Sequence, residues 1–156
     1  MNITVLAVGT KMPRWVDEAV NDYAKRFGRD IVYTLKEIKP EKRTSSVNAA
    51  QGMLAEEKRL LDAIPTQALV VALDERGVAP TSIQLAEYLK TWQMNGEHVC
   101  FIIGGADGIT DTIKQKAKML MRLSSLTLPH SMVRVLLTEQ LYRAVSILHN
   151  HPYHRE

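Results

Sequence analysis

A glycine-rich segment late in the chain is the first candidate for ligand chemistry. Residues 104–108 read Gly-Gly-Ala-Asp-Gly and follow a short apolar run. Glycine permits positive φ and a close approach of the backbone to a ligand, although the same residues also suit a tight turn from strand to helix. No Lys-Ser/Thr pair follows Gly108, and a single glycine, Gly9, follows the first apolar run. The pattern therefore disfavours both a Walker loop and a dinucleotide fingerprint.

Residues 123–128, which read Leu-Ser-Ser-Leu-Thr-Leu before Pro129-His130, form a second candidate segment. Small hydroxyl residues among leucines could present backbone N–H and C=O groups to the edge of an adenine. The alternative is a strand with its serines towards solvent, and the spacing alone favours that strand.

Two further groups have chemistry to offer near the end of the chain. Arg134 lies at the edge of an apolar helical arc, where an arginine either has a specific anionic or carbonyl partner or reaches back to solvent. The run Tyr153, His154 and Arg155 could stack on a base, exchange a proton and contact phosphate, although chain termini are often mobile. The spacing of the C-terminal histidines does not match a metal site, and no metal is predicted.

The distribution of charge favours a phosphate-bearing partner. The chain has 20 basic and 17 acidic residues, a net charge of +3. Residues 111–156 hold 7 Lys/Arg and 3 Asp/Glu, whereas residues 1–110 hold 13 and 14. A basic C-terminal part suits nucleic acid, although an excess of four charges is also ordinary.

Strand-like and helix-like segments alternate along the chain. Strands are predicted over residues 3–8, 31–38, 68–74, 98–103 and 123–128, and helices over 13–27, 47–63, 81–94, 110–121 and 131–148. Thr81 with Gln84 is a capping-box pattern. This alternation predicts an α/β fold with a mostly parallel sheet and helices on both faces. Ligands in such sheets bind beyond the carboxyl ends of the strands, here the loops after Leu73, Ile103 and Leu128.

Size and composition predict one domain, residues 1–156, in a reducing compartment. Cys100 is the single cysteine, so no internal disulfide forms. No basic segment precedes the first apolar run, and no apolar run approaches the roughly 20 residues that span a bilayer. A cytoplasmic protein without membrane contact is expected.

The last predicted helix carries an apolar arc of roughly 180°. The arc is formed by Val133, Leu136, Leu137, Leu141, Ala144, Val145, Ile147 and Leu148. Because this is broad for a helix with one side in water, it predicts burial against its own sheet and against a partner chain.

Five segments in this order resemble the ribosomal RNA large subunit methyltransferase H family, which belongs to the SPOUT class of knotted methyltransferases. They are residues 5–11 (VLAVGTK), 102–108 (IIGGADG), 126–130 (LTLPH), 134–144 (RVLLTEQLYRA) and 151–156 (HPYHRE). The similarity covers the whole chain without departure in these segments, while residues 40–66 carry little family signature. It implies a C-terminal trefoil knot, an exception to the rule that chains do not thread, and a homodimer. It also implies S-adenosylmethionine as cofactor and methylation at N3 of a pseudouridine in 23S rRNA, in a stem-loop at the subunit interface of the ribosome.

The resemblance also implies site residues. The cofactor would contact Leu73, Gly104, Gly105, Leu123, Ser124, Ser125, Leu126, Thr127 and Leu128. N3 of the base carries a proton between two carbonyls, so the site needs a proton acceptor, or cations and donors beside the oxygens. The candidates are Tyr153, His154, Arg155, His130 and Arg134, and the sequence does not decide which of them is the base.

Two other functions fit parts of the sequence. One is a non-enzymatic RNA-binding factor in ribosome assembly with an unused cofactor pocket. The other is a flavodoxin-type nucleotide-binding protein, whose anionic cofactor needs a Ser/Thr/Gly-rich loop after the first strand; residues 11–13, Lys-Met-Pro, are a poor match to such a loop.

Overall fold

The structure, a computed structural model, describes residues 1–155. Strands and helices alternate along the described chain, which ends in a short 3₁₀ turn, Pro152–His154. In chain order the elements are β1 (Asn2–Val8), α1 (Arg14–Ala24), β2 (Val32–Ile38), α2 (Ala49–Ala63), β3 (Leu69–Val78), α3 (Ser82–Met94), β4 (Val99–Ile103), α4 (Asp111–Lys116), β5 (Met119–Met121) and α5 (His130–Leu148).

The five strands form one parallel sheet in the order β2-β1-β4-β3-β5. Successive side chains of β1 point to opposite faces, so Val5 and Ala7 enter one core while Leu6 and Val8 enter the other. The first core is completed by α3 and α5, and the second by α2 and α4. The predicted α/β sheet with helices on both faces is confirmed, whereas the trefoil knot stays a prediction.

The predicted helix over 110–121 is confirmed only in its first half, and the predicted strand over 123–128 is wrong. The helix ends at Lys116, Met119–Met121 forms the edge strand β5, and residues 123–128 form a loop. Leucine and methionine favour helices locally, but these three residues pair with the open edge of β3, and that tertiary pairing overrides propensity. Residues 123–128 meet no neighbouring strand and stay irregular.

Strand β3 is longer than predicted and is irregular at its carboxyl end. Its pairing with β5 shifts register between Leu73 and Val78, because both residues pair with Met121. Gly77 lies against the backbone of β5, where a Cβ would come within 2.5 Å of the Met121 nitrogen. The residues between Leu73 and Val78 therefore project from the carboxyl edge of the sheet.

The wide apolar arc of α5 is partly covered by the protein's own chain. Helices α1 and α3 and strand β4 pack along it, and Leu137, Leu141 and Ala144 are fully buried. Val133, Leu136, Ile147 and Leu148 are only partly buried, and a partner chain against the arc stays a prediction. The capping box of Thr81 and Gln84 is confirmed. Within residues 1–155, no helix has the length and apolarity that a membrane span requires.

Candidate functional site

A cleft of about 1040 Å³ lies at the carboxyl ends of β3, β4 and β5. Three segments form most of its lining, namely residues 73–76, 103–109 and 121–128, and Val8, Met12, Lys114, His130 and Val133 complete it. The first two segments are the loops that the parallel sheet predicted after Leu73 and Ile103, whereas the third precedes the loop predicted after Leu128, because the fifth strand lies at Met119–Met121. All nine residues expected to hold a cofactor line the cleft, namely Leu73, Gly104, Gly105, Leu123, Ser124, Ser125, Leu126, Thr127 and Leu128; their contact with a ligand stays a prediction.

The glycine turn, residues 104–108, needs its glycines mainly for space. A Cβ on Gly104 would lie 2.8 Å from Ile109 Cγ2 and 2.9 Å from the carbonyl carbon of Gly108. A Cβ on Gly105 would lie 2.9 Å from Val8 Cγ1. Positive φ occurs in this turn at Gly108, with a value of 82°. The turn therefore closes on itself so tightly that a side chain at Gly104 would force its backbone open.

We expect Gly104→Val to abolish cofactor binding, with a loss of more than about hundredfold in affinity, or roughly 2.7 kcal/mol. The branched side chain would strike both the Ile109 side chain and the backbone of the turn at Gly108. Titration calorimetry with S-adenosylhomocysteine measures the effect, with Gly28→Ala at the opposite edge of the sheet as control. Normal affinity in Gly104→Val would remove the turn from the cofactor site.

The loop of residues 123–128 offers backbone groups that the fold does not use. Among the described residues, Leu126 N–H donates to Ser124 Oγ at 2.8 Å, while the N–H groups of Leu123, Ser125, Thr127 and Leu128 donate no intrachain hydrogen bond. Unused backbone donors with a fixed order can recognise the edge of a base. This arrangement suits the adenine of a nucleoside ligand.

Charged groups that line the same cleft suit an amino-acid moiety. The Nε atom of Arg122 is buried and has no hydrogen-bond partner among residues 1–155. A buried guanidinium nitrogen with an unused donor fits a carboxylate. Asp74 is paired with Lys114 at 3.3 Å in the same cleft. The cleft thus fits S-adenosylmethionine, which joins an adenosine to an amino acid.

Arg134 of α5 makes hydrogen bonds to β2, to the residue that follows β1 and to His130. It is 2% exposed, and its Nη1 donates to Glu37 Oε2 at 2.8 Å while its Nη2 donates to the Gly9 carbonyl at 2.9 Å. Its Nε donates to His130 Nε2 at 2.9 Å, and His130 Nδ1 lies 3.1 Å from the Gly104 carbonyl. The expectation of specific anionic and carbonyl partners for Arg134 is confirmed.

These bonds define the protonation of His130. Because Nε2 accepts from Arg134, the proton sits on Nδ1 and is donated to the carbonyl of Gly104. Burial and the neighbouring Arg134 charge lower the pKa of His130 below its usual value. The imidazole is neutral near pH 7 with both nitrogens engaged. His130 and Arg134 stay candidate catalytic groups, and in this structure their side chains connect α5 to the Gly104 carbonyl, the Gly9 carbonyl and Glu37.

We expect His130→Ala to weaken cofactor binding about tenfold, because the Gly104 carbonyl loses its donor. His130→Asn restores a donor near the Nδ1 position and should recover most of the affinity. With a lowered pKa in the folded protein, the stabilising contribution of neutral His130 is complete above the unfolded value of about 6.5 and is lost as the pH falls through the folded value. Calorimetry between pH 5 and about 8 measures both effects, and unchanged affinity in His130→Ala would contradict the assignment.

The C-terminal tail is folded onto α5. The Tyr153 hydroxyl donates to Glu139 Oε1 at 2.9 Å, and its ring lies 4.7 Å from Tyr142 and 6.4 Å from Tyr23. The Arg143 guanidinium lies 4.9 Å from the centre of the Tyr153 ring. Burial, with Tyr23 and Glu139, raises the pKa of Tyr153, so its phenol stays protonated. These contacts anchor the tail through Tyr153, and its candidate role at the site stays a prediction.

Two tail residues remain to face a substrate. His154 is partly buried, its Nδ1 has no hydrogen-bond partner among the described residues, and Arg155 is exposed. Of the other C-terminal histidines, His149 pairs with Asp30 at 3.1 Å and His151 accepts the backbone N–H of Tyr153. Within the described tail residues, His154 and Arg155 remain candidate groups for a ligand, and that role stays a prediction.

One chain does not bring its tail to its own cleft. His130 lines the cleft, and Glu139, which anchors Tyr153, follows it by nine residues on α5. At 1.5 Å and 100° per residue, Glu139 lies about 14 Å along the helix and half a turn around it. The tail and the cleft occupy opposite faces of α5.

The sequence analysis missed one contact of the glycine turn. Arg43, in the segment from which nothing was inferred, donates through Nε to Asp107 Oδ2 at 2.9 Å. The available signal was Gly52, because a glycine in the interior of a helix costs stability and needs a structural reason. That glycine lies under the Arg43 side chain.

The chain is similar to a family model, to named proteins and to a solved structure. The family model described as "Predicted SPOUT methyltransferase" matches residues 1–154. A Neisseria meningitidis serogroup C protein is 81% identical over 156 residues, and proteins of Chromobacterium violaceum and Laribacter hongkongensis are 64% and 59% identical. Each alignment covers 100% of both chains, and each relative is named "Ribosomal RNA large subunit methyltransferase H". A solved structure of a methylase family protein from Neisseria gonorrhoeae is similar in fold, with a TM-score of 0.53 and 16% identity over 90% of this chain and 81% of that one.

Proposed function

This chain belongs to the SPOUT methyltransferase family, and on that basis we propose that it uses S-adenosylmethionine to methylate N3 of a pseudouridine in 23S rRNA. The observation that carries the proposal is the full-length identity, up to 81%, with proteins named for methylation of large-subunit ribosomal RNA. The reaction takes place where ribosomes are, in the cytoplasm.

The cleft supplies the binding part of the mechanism. Loop 123–128 would hold the adenine through its unused backbone groups, and Arg122 would face the carboxylate of the methionine part. The bound cofactor supplies an electrophilic methyl group. The turn at Gly104, held in place by His130, fixes the position from which the acceptor nitrogen must approach in line, and this orientation provides much of the rate.

The acceptor nitrogen must lose its proton before its lone pair is available. Its negative charge then spreads to the two flanking carbonyl oxygens of the base. We assign proton acceptance to the imidazole of His154, whose side chain makes no hydrogen bond within the described residues, and stabilisation of the developing charge to Arg155. Tyr153 holds both residues in place through its bond to Glu139.

The protein would work as a homodimer, because the tail and the cleft lie on opposite faces of α5 in one chain. A two-fold pairing lets the tail of one protomer reach the cleft of its partner. Support comes from large apolar side chains that remain exposed beside this helix. Ile83 is 64% exposed and follows Ser82, which donates to Gln140 of α5 at 2.6 Å, and Val78 at the end of β3 is 57% exposed. Leu126, in the cofactor loop, is 77% exposed.

Methyl transfer from labelled S-adenosylmethionine to ribosomes that lack the modification tests the proposal. We expect incorporation of one methyl group into 23S rRNA, located at a pseudouridine by nucleoside mapping. Free rRNA, large subunits and 70S ribosomes, tested separately, identify the substrate. Binding to ribosomes without calorimetric binding of S-adenosylmethionine would instead favour a non-enzymatic assembly factor.

A further inference from the structure

We propose that Arg43 is a positioning residue for the cofactor, which acts from outside the cleft by tying the glycine turn to helix α2. The inference rests on the proposed cofactor site but not on the identity of the RNA substrate. It concerns residues of a segment in which the sequence carries no motif.

Arg43 makes hydrogen bonds in three directions. Its Nε donates to Asp107 Oδ2 in the glycine turn at 2.9 Å. Its Nη1 and Nη2 donate to the two carboxylate oxygens of Glu56 on α2 at 3.2 and 3.3 Å, and Nη1 also donates to the Glu41 carbonyl at 2.6 Å. The guanidinium therefore bridges the turn and the helix with a fixed geometry that a single-point cation could not reproduce.

Glu56 gives the bridge its rigidity. It is 3% exposed, and its Oε2 also accepts the backbone N–H of Glu41 at 3.0 Å. A buried carboxylate needs such partners to remain charged, so Glu56 and Arg43 hold one another in place. Asp107 is the bridge's partner in the turn, and it lines the cleft.

Two glycines leave room for this bridge. Gly52 lies in the interior of α2, and a Cβ there would overlap the guanidinium of Arg43. Gly105 lies on the other side, where a Cβ would come within 3.2 Å of Glu56 Oε1. The helix thus accepts a residue of poor helix propensity directly beneath Arg43, which points to a role for the arginine beyond helix stability.

The glycine turn is consequently held at two points. His130 donates to the carbonyl of Gly104 on one side, and Arg43 donates to the side chain of Asp107 on the other. A turn fixed at both ends presents its backbone to a ligand without first losing conformational freedom on binding. Arg43 should therefore determine cofactor affinity while leaving RNA binding unaffected.

Gly52→Ala moves the Arg43 side chain without changing Arg43 itself. The new methyl group displaces the guanidinium from Asp107 and from buried Glu56, so the gain in helix propensity is offset by the loss of the Arg43–Glu56 pair, and the melting temperature is measured beside the affinity. We expect the dissociation constant for S-adenosylhomocysteine to rise about tenfold. The KM for S-adenosylmethionine should rise with it, while kcat and the KM for ribosomes remain unchanged.

A double-mutant cycle between Arg43→Gln and Asp107→Ala tests the contact itself. Each single variant should weaken binding of S-adenosylhomocysteine, and the double variant should be no weaker than the singles. Arg59→Gln is the matched control, because Arg59 binds Glu41 and the Lys39 carbonyl in the same segment without touching the turn; it should bind normally. Equal affinities in wild type, Gly52→Ala and Arg43→Gln would overturn the inference, as would additive effects in the cycle. Absence of cofactor binding by the wild-type protein would overturn the proposed function itself.

Discussion

Truncation after Tyr153, which removes residues 154–156, should abolish methylation of ribosomes while leaving cofactor affinity unchanged. The deleted groups include His154 and Arg155, to which we assign proton acceptance and charge stabilisation, and losing both should lower kcat by about a thousandfold or more. The cleft of the same chain lies on the opposite face of α5 and keeps all its lining residues. Single-turnover methyl transfer and calorimetry measure the two effects.

The shorter truncation must be compared with one that also removes Tyr153. Tyr153 contacts Tyr142, Tyr23, Arg143 and Glu139, so its loss should cost on the order of 2 kcal/mol of unfolding free energy. The sequence left open whether the tail is a mobile terminus, and the structure shows Tyr153 packed against α1 and α5. A normal methylation rate after removal of residues 154–156 would show that these residues have no role in the reaction.

Co-expression of two inactive chains should restore activity in mixed dimers. One chain carries Gly104→Val and retains its tail, while the other is truncated after Tyr153 and retains its cleft. If each site combines the cleft of one protomer with the tail of the other, a mixed dimer contains one intact site. We expect about half of the wild-type rate per mixed dimer, against a background lowered by a thousandfold or more in each parent.

Different affinity tags on the two chains allow the mixed dimer to be purified and its mass confirmed. The control dimer pairs a wild-type chain with a chain that carries Gly104→Val and is also truncated after Tyr153. In this dimer the intact cleft of the wild-type chain faces a partner without a tail, so a shared site predicts no activity. Inactive mixed dimers of the two single-defect chains would mean that each chain works alone. Full activity in a particle of monomeric mass would exclude a shared site.

Local patterns in the sequence were sufficient for most of the fold. Hydrophobic periodicity predicted β1, β2, β4 and helices α1, α2, α3 and α5 close to their observed bounds, because each buries a face that its own residues define. Alternation of strands and helices then predicted a parallel sheet with a ligand cleft at its carboxyl edge, and the cleft lies there. The family resemblance also placed Gly104, Gly105 and residues 123–128 in the cofactor site.

Other features depended on contacts between residues distant in the chain. Met119–Met121 became a strand because β3 offered an open edge, which no local pattern describes. The width of the apolar arc on α5 predicted a partner chain, but helices α1 and α3 of the same chain pack against this arc. Burial depends on where other helices pack, which the arc itself does not show. His130 and Arg134 had the chemistry of catalytic groups, and only the fold showed their bonds to Gly104, Gly9 and Glu37.

The same distinction explains the tail and Arg43. Residue types alone suggested that Tyr153, His154 and Arg155 act together, and the bond from Tyr153 to Glu139 makes the first an anchor of the tail. Arg43 had no recognisable motif, because its partners Glu56 and Asp107 are 13 and 64 residues away. Sequence determines which chemical groups are available and which segments are regular, because those depend on side-chain type and local periodicity. Tertiary structure alone decides which donors are already engaged, and therefore which groups remain free to act on a ligand.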